Sequence, residues 1–424
     1  MRYHFIGIQG SGMQGLSELV RLQGNVVTGS DLQDGGHHAA NIEGADRVIY
    51  TPAVQPGSAG WVEIEAAQAV GIPTLRAEEL LQELTRDAET VVAVAGTHGK
   101  STTTAMVGQI LEAAGRNPTV YIGAPVLQWD GRGYRSGDPS VWVVEADEYQ
   151  RKLLSLSPSV AVITNIEFEH PDIYADLADV ERTFQSFIEV VRPGGTLIAC
   201  MESTSVQSVL RRVRRTDITV LAYGEGSKLY GVDALPTLVV PGRHNQLNAL
   251  AALAVADVLG IDRSVSLATL ATFQGASRRV ELIGERSGVV VIDDYGHHPT
   301  ELRASMQAVR ERYPDRRLVV AFQPHQHARL RALFDDFAQA FEQADLVLIT
   351  DVFAVPGRDE ADEVDPRQLV AAIVQQGKAC EYVGSLEDLS VKLDSLVRPG
   401  DVFMTIGATA ITLVGRRWVA GDAA

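Results

Sequence analysis

The stretch ETVVAVAGTHGKSTTTAMVGQI, Glu89 to Ile110, decides the fold. Its apolar run from Val91 to Ala95 reads as a buried strand. The run breaks at Gly96-Thr97-His98-Gly99-Lys100-Ser101 and passes, from Thr102 onward, into helix-forming sequence. Strand, glycine-rich loop and helix in that order make a phosphate cradle. Glycines let backbone N–H groups close on the anion, and the helix N-terminus adds its positive dipole end. Lys100 offers a point charge to β/γ-phosphates, and the Ser101 hydroxyl can ligate Mg²⁺. A chance Gly-Lys-Ser in an ordinary turn would not need a strand before it and a helix after it. The reading is nucleoside triphosphate binding.

Around that stretch, short β-branched runs alternate with longer amphipathic ones, which indicates α/β architecture with mainly parallel sheets. A chain of 424 residues is too long for one ordinary core, so two or three domains are expected. Hydrophobic content of 46% and charged content of 21% are those of a soluble globular enzyme. A net charge of −17 argues against nucleic acid, and the basic run Arg211 to Arg215 reads as a solvated helix face. The two cysteines, Cys200 and Cys380, fit neither a disulfide framework nor a metal template, which points to a reducing cytoplasm. No apolar run approaches the roughly eighteen residues of a membrane span. Tyr3 to Ile8 already reads as a strand of the fold, so no signal peptide is expected before it.

The first segment opens with a strand at about residues 3–8, then Gly10-x-Gly12-x-x-Gly15 and a helix. Asp31 follows the next strand, Val26 to Ser30. This satisfies the dinucleotide fingerprint, but its mechanics require only a diphosphate on a helix N-terminus. A nucleotide-sugar carries one, and a hydride-transfer enzyme would not need a P-loop roughly eighty residues later. Further strands are expected at Arg47 to Thr51, Val141 to Val144 and Val160 to Thr164, with helices at Ala77 to Leu84 and Leu247 to Leu259. Glu145 and His170 each fall just after a strand of the P-loop unit, where parallel strand ends share one crevice. A carboxylate and an imidazole there suit a second Mg²⁺, although magnesium usually takes oxygen. His244-Asn245-x-x-Asn248 opens a helix; Asn245 is either its N-cap or a carboxamide that reads an adenine edge.

After Arg278-Arg279, strands are expected at Val289 to Ile292, Leu318 to Phe322, Leu346 to Thr350 and Val402 to Ile406. Asp293-Asp294-Tyr295-Gly296-His297-His298 follows the first of them, and Gln323-Pro324-His325-Gln326-His327 the second. Two acids and two histidines are costly to place in a core, so a site role is favoured. Zinc is discounted, because no cysteine or spacing template accompanies these histidines. The polar segment Ala354 to Pro366 reads as a surface loop.

Taken in order, these motifs resemble the Mur ligase family over nearly the whole chain, and its alanine-adding branch most closely. The residues that carry the resemblance are Gly7 to Met13, Gly29 to Leu32, Gly96 to Thr104, Glu145 to Glu148, Asn165 to Glu167 with His170, Pro241 to Leu250, Arg278-Arg279, Asp293 to Glu301 and Phe322 to His325. The resemblance implies a UDP-sugar-binding domain at 1–87, a central ATP-binding domain at 88–276 and a C-terminal amino-acid-binding domain at 277–424. The first and last would be Rossmann-like, the central one a P-loop ATPase α/β domain. It implies ATP and Mg²⁺, with UDP-N-acetylmuramate and L-alanine as substrates, in a monomer or homodimer. By the same resemblance, Gly10, Ser11, Gly12, Met13 and Asp31 would bind the UDP-sugar. Gly96, Thr97, His98, Gly99, Lys100, Ser101 and Thr102 would bind ATP, with Asn245 and Asn248 at adenine and Arg279 and Asp294 from the domain junction. Ser101, Glu145 and His170 would hold metal. Tyr295, His297, Gln326 and Arg329 would meet the amino acid, and Lys100, Glu145, His170 and His297 would be catalytic.

The implied chemistry activates a carboxylate as an acyl phosphate, which an amine then attacks; domain closure would keep water out. Three departures stand out. Tyr149-Gln150 follows Glu148 where the alanine-adding branch carries Ser-Asp, Gln326 stands where it carries Arg, and the tail reads Gly407-Ala-Thr-Ala410. Tyr149 is shared with murein-peptide recycling ligases, so a recycling or altered-specificity ligase is the alternative. From other classes, an NAD-dependent oxidoreductase and a regulator without turnover remain. No lysine lies between Lys152 and Lys228, where later-acting sister ligases carry a carbamylated one.

Overall fold

The computed structural model describes residues 1–355 and 363–421, and most of the expected loop from Ala354 to Pro366 lies outside the described residues. The chain divides into two compact units. The first comprises Met1–Glu167, Glu181–Thr237 and Leu247–Gln274; the second comprises Phe168–Val180, Leu238–Gln246 and the chain from Gly275 onward.

The first unit holds two sheets. In one, β1 (Arg2–Ile6), β2 (Val26–Ser30), β3 (Arg47–Tyr50) and β4 (Thr74–Arg76) lie in the order β2-β1-β3-β4, all parallel. The other contains β5 (Thr90–Ala95), β6 (Pro118–Val126), β7 (Arg132–Arg135), β8 (Asp138–Glu145), β9 (Val160–Ile163), β10 (Thr196–Cys200) and β11 (Thr219–Tyr223). Its order is β11-β10-β9-β5-β8-β6-β7, and only the β6–β7 pair is antiparallel. β5 is central and fully buried from Val91 to Ala95, as a strand covered on both faces must be. The chain moves to one side of β5 through β6 to β8 and to the other through β9 to β11. The C-terminal end of β5 is therefore the switch point where such sheets bind ligands.

The second unit is built on β12 (Glu281–Arg286), β13 (Val289–Asp294), β14 (Leu318–Phe322), β15 (Leu346–Thr350), β16 (Cys380–Gly384) and β17 (Val402–Ile406), in the order β12-β13-β17-β14-β15-β16. β17 returns between β13 and β14, and Ile406 is in register with both Asp294 and Phe322. The turns after β13 and β14 therefore leave the same end of the sheet. Apolar clusters fill both faces of this sheet, Ile292, Val320 and Met404 on one side and Val291, Val319 and Phe403 on the other.

The helices used below are α1 (Ser11–Leu22), α2 (Trp61–Ala69), α3 (Ala77–Thr85), α4 (Lys100–Ala113), α5 (Leu177–Glu189), α6 (Thr204–Arg212), α7 (Arg243–Val258), α8 (Arg263–Thr272), α9 (Pro299–Arg312) and α10 (His327–Ala332). α7 begins four residues before the expected start, so Asn245 sits inside its first turn rather than at its N-cap. Gly242 makes the turn at φ +94°, and its carbonyl accepts from Asn245 N. The basic run 211–215 ends α6 and lies at the surface, where Arg215 pairs with Asp217. Among the described residues, no helix is long and apolar enough to cross a membrane.

Candidate active site

The P-loop runs from Gly96 to Gly99 between β5 and α4. Gly99 is obligatory: its φ is +81°, and a Cβ there would lie 2.3 Å from the Asn248 carboxamide oxygen. Asn248, buried on α7, thus sits directly against the loop. The end of β9 sets the loop's shape. His98 N donates to Asn165 Oδ1 at 2.8 Å, Thr97 N donates to the Asn165 carbonyl at 3.1 Å, and Thr164 Oγ1 donates to the His98 carbonyl at 2.6 Å. His98 Nε2 lies 3.7 Å from Glu167 Oε2. The N-cap residue of α4 is Gly99, which has no side chain to cap the helix. Ser101 and Thr102, both buried, follow Lys100 in the first turn.

Lys100 folds back over this loop. Its Nζ donates to the Gly96 and Thr97 carbonyls at 2.6 and 3.0 Å and to Glu148 Oε2 at 2.8 Å. Burial works against its charge, but the carboxylates of Glu148, Asp147 and Glu145 outweigh burial and hold the ammonium above its ordinary pKa. Glu148 is 1% exposed. The sequence reading assigned no role to Glu148, although its place in Glu145-Ala-Asp-Glu148 after a strand was visible.

The glycine loop after β1 is built differently. Gly10 N donates to the Gly7 carbonyl, Gln9 N donates to Asp31 Oδ2 at 3.2 Å, and α1 begins without a side-chain cap. No cation stands in it. Gly12 permits a close approach: a Cβ there would lie 2.9 Å from the Tyr121 hydroxyl, which donates to the Gly12 carbonyl at 3.1 Å. Tyr121 lies on β6, more than a hundred residues away, and nothing in the sequence marked it. The loop opens on a cavity of about 330 Å³ lined by Gly10, Ser11, Gly12 and Met13 on one side and by Glu145, Asp147 and Lys152 on another. Glu145 accepts from Gly123 N at 2.8 Å.

Ser101 and Glu145 belong to the first unit, whereas His170 belongs to the second, with φ +55° and its N–H donating to Glu169 Oε1 at 2.9 Å. A hydroxyl and a carboxylate are the oxygen donors that magnesium takes, so these two residues fit the ion. Asn245 and Asn248 are likewise divided between the units, and Asn245 Nδ2 donates to the Pro241 carbonyl at 2.7 Å.

Within the second unit, the turns after β13 and β14 bring Asp294, Tyr295, His297 and Arg329 into one neighbourhood, with Arg279 beside them. Asp294 is 2% exposed; its two oxygens accept from Val280 N and Gly296 N, each at 2.8 Å. Burial pushes its carboxyl up to about 6, against the pull of Arg279. Arg279 donates to Glu301 at 3.3 Å and lies over the Tyr295 ring at 5.4 Å. His297 packs edge-on to Tyr295, and its Nε2 is 3.9 Å from Glu169 Oε2. Burial lowers its pKa to about 4, with Glu301 opposing, so the imidazole is neutral near pH 7. Arg329, 2% exposed on α10, donates through Nε to Glu169 Oε1 at 2.6 Å and through Nη1 to the His325 carbonyl at 3.0 Å. Burial opposes the Glu169 charge, yet Arg329 and the neighbouring imidazoles hold that carboxyl far below its usual range. Glu169 was not singled out by the sequence, because its partner lies 160 residues away.

Gln326 takes φ +75° and is 1% exposed. Its Nε2 finds no hydrogen-bond partner among the described residues. A side chain in a left-handed backbone with an unsatisfied buried donor costs stability twice, and such residues cluster at functional sites.

Comparison with known proteins adds independent findings. Three family models match consecutive spans: the Mur ligase family catalytic domain at 2–89, the Mur ligase middle domain at 94–237 and the Mur ligase glutamate ligase domain at 278–409. A UDP-N-acetylmuramate–L-alanine ligase of Sorangium cellulosum is 38% identical, covering 96% of this chain and 93% of the relative. The protein of that name from Nitratidesulfovibrio vulgaris is 36% identical over 99% and 98%. Among solved structures, the UDP-N-acetylmuramate–alanine ligase of Thermotoga maritima superposes with a TM-score of 0.81 at 27% identity, covering 99% of each chain. A murein peptide ligase of Psychrobacter arcticus shares the fold, with a TM-score of 0.72 at 24% identity over 99% and 98% of the chains. With similarity of this degree running almost from end to end, and the three-domain α/β architecture that accompanies it, the chain belongs to the Mur ligase family.

Proposed function

We propose that this chain is an ATP-dependent ligase that joins L-alanine to UDP-N-acetylmuramate in peptidoglycan precursor synthesis. The carrying observation is that one compact unit holds two anion cradles: a P-loop with its lysine, and a cation-free glycine loop whose cavity reaches Glu145 beside the P-loop strand. A triphosphate and a nucleotide-diphosphate sugar would thus lie on one scaffold. The names of the relatives, with 38% identity to one of them, supply the substrates.

The sugar's carboxylate is a poor electrophile. Its oxygen attacks the γ-phosphorus of ATP, giving an acyl phosphate and ADP. The alanine amine then attacks the carbonyl, phosphate leaves, and the nitrogen loses a proton as the amide forms. Lys100 exchanges Glu148 for the phosphoryl oxygens and offsets the charge that gathers there. The backbone N–H groups of the first turn of α4 orient the phosphates. Ser101 and Glu145 would hold magnesium, which when bound screens the phosphate charge. Neutral His297 offers a hydrogen-bond acceptor to the incoming ammonium, and Tyr295 and Gln326 line that side. Gly10 to Met13 and Asp31 hold the UDP moiety, and Asn248 faces the nucleotide held by the P-loop. The domains are assigned as 1–87, 88–276 and 277–424, supported by the one-sheet-per-segment organisation. A cytoplasmic setting follows from the substrates.

Phosphate release from ATP, measured with UDP-N-acetylmuramate and a panel of amines, tests this reading. L-alanine should give the highest kcat/KM. Preference for a preformed peptide would move the chain to the recycling branch. Release without UDP-N-acetylmuramate, or none with it, would refute the proposal.

A further inference from the structure

The first unit contains a buried polar cluster that the proposed reaction does not use. Glu63, on α2, is 0% exposed. Its Oε2 accepts from Ser30 Oγ at 2.9 Å and lies 2.8 Å from His4 Nε2. Its Oε1 accepts from Asn41 Nδ2 at 2.8 Å and from His38 N at 3.1 Å, with His37 Nδ1 at 3.3 Å. Burial raises the cost of charge here, yet the donors win and the carboxyl stays below its ordinary pKa. A buried carboxylate with five contacts is expensive to assemble, and packing alone does not require it, since apolar side chains such as Ile6, Val48 and Ile64 fill the core beside it.

What it holds is informative. Ser30 ends β2, and the Ser30 carbonyl accepts from Gly7 N at 2.8 Å and from Ile8 N at 3.2 Å. The next residue, Asp31, binds Gln9 N. The three N–H groups that enter the glycine loop are therefore anchored on two residues, and Glu63 clamps the first of them. Glu63 also fastens the far end of the segment that Asp31 begins, through His37, His38 and Asn41. We propose that Glu63 is a positioning residue for the nucleotide-sugar site: it locks Ser30 and the 31–41 loop so that the Gly7–Gly10 turn holds its diphosphate-binding shape before ligand arrives. The inference rests on reading that turn as the UDP-N-acetylmuramate site.

Glu63→Gln in the full chain tests it. An amide removes the negative charge and leaves one accepting oxygen in place of two, so the clamp weakens while the size is kept. The KM for UDP-N-acetylmuramate should rise about ten- to a hundredfold, as expected for loss of charged hydrogen bonds, while kcat and the KM for ATP stay within about twofold. Amide hydrogen exchange at residues 7–9 and 31–41 should quicken in the free protein. Asn41→Ala removes a single donor at the rim and should shift both readouts the same way by less; it decides the matter if Glu63→Gln does not fold. Unchanged KM with unchanged exchange overturns the proposal, as does an equal fall in kcat with both substrates. If the wild type shows no turnover with UDP-N-acetylmuramate, the functional reading fails, while faster exchange at residues 7–9 still supports the clamp and unchanged exchange overturns it.

Discussion

The P-loop of the first unit and the paired turns of the second both follow parallel strands into helices, yet they are built on opposite principles. The P-loop concentrates charge: a lysine folds back across glycines and pairs with the buried Glu148. The turns after β13 and β14 suppress charge. Arg329 is consumed by Glu169, His297 is held neutral, Asp294 is pushed towards protonation, and Gln326 presents an uncharged amide. The first arrangement suits a polyanion. The second suits a small zwitterion whose amine must lose a proton, where a fixed positive field helps less.

If the contrast is right, Lys100→Ala should do the most damage. Turnover should fall about 10²-fold or more, because a phosphate contact is lost. Stability should fall too, by about 3–5 kcal/mol, because the buried Glu148 carboxylate loses the cation opposite it. Adding Glu148→Gln should restore the melting temperature but not the rate. Near-normal ligation by Lys100→Ala would remove the P-loop from the mechanism.

Arg329→Ala should act on the fold before it acts on the substrate. Breaking the buried pair with Glu169 should cost about 3–5 kcal/mol, and Glu169→Gln in the same chain should recover part of it. Urea denaturation of the single and double variants reads this. If stability is unchanged and only the L-alanine KM climbs, Arg329 is a substrate clamp, and the second region is not the neutral site described here.

Gln326→Arg converts the second region towards the first. Should the alanine carboxylate sit against this side chain, a charged hydrogen bond gains roughly 1.5–3 kcal/mol, and the L-alanine KM falls about tenfold or more. An unchanged KM would place the carboxylate elsewhere.

The smallest effect is electrostatic. The folded-state pKa of Asp294, about 6, lies above its ordinary 3.8, so the folded protein binds the extra proton. That contribution is full below about pH 4 and lost as pH rises through about 6. Asp294→Asn should lack this loss, so the wild-type advantage in melting temperature shrinks between pH 4 and 6. A constant difference would mean that Asp294 is ionised throughout.

The charged region was far more legible in the sequence than the neutral one. Gly99-Lys100-Ser101 is contiguous, and its chemistry demands those residue types at that spacing. β5 was equally plain, because a strand buried on both faces is a continuous apolar run. The neutral region depends on contacts between distant segments. Glu169 meets Arg329, and Asp294 meets the backbone of Val280, at separations that periodicity does not encode. Gln326 was noticed as a departure from its relatives, but its left-handed backbone and unsatisfied amide could come only from coordinates. The strands β12 and β16 were missed for a simpler reason: they are edge strands, mostly only partly buried, without a long apolar run.

The contact between Tyr121 and Gly12 bears on how freely such enzymes exchange parts. A nucleotide-binding segment with the same glycine fingerprint but a side chain at position 12 would meet a tyrosine hydroxyl at 2.9 Å. The first sheet is therefore not an interchangeable cassette. A chimera that imports it must import a glycine at that turn or trim Tyr121, and the two positions should be inherited as one unit of recombination.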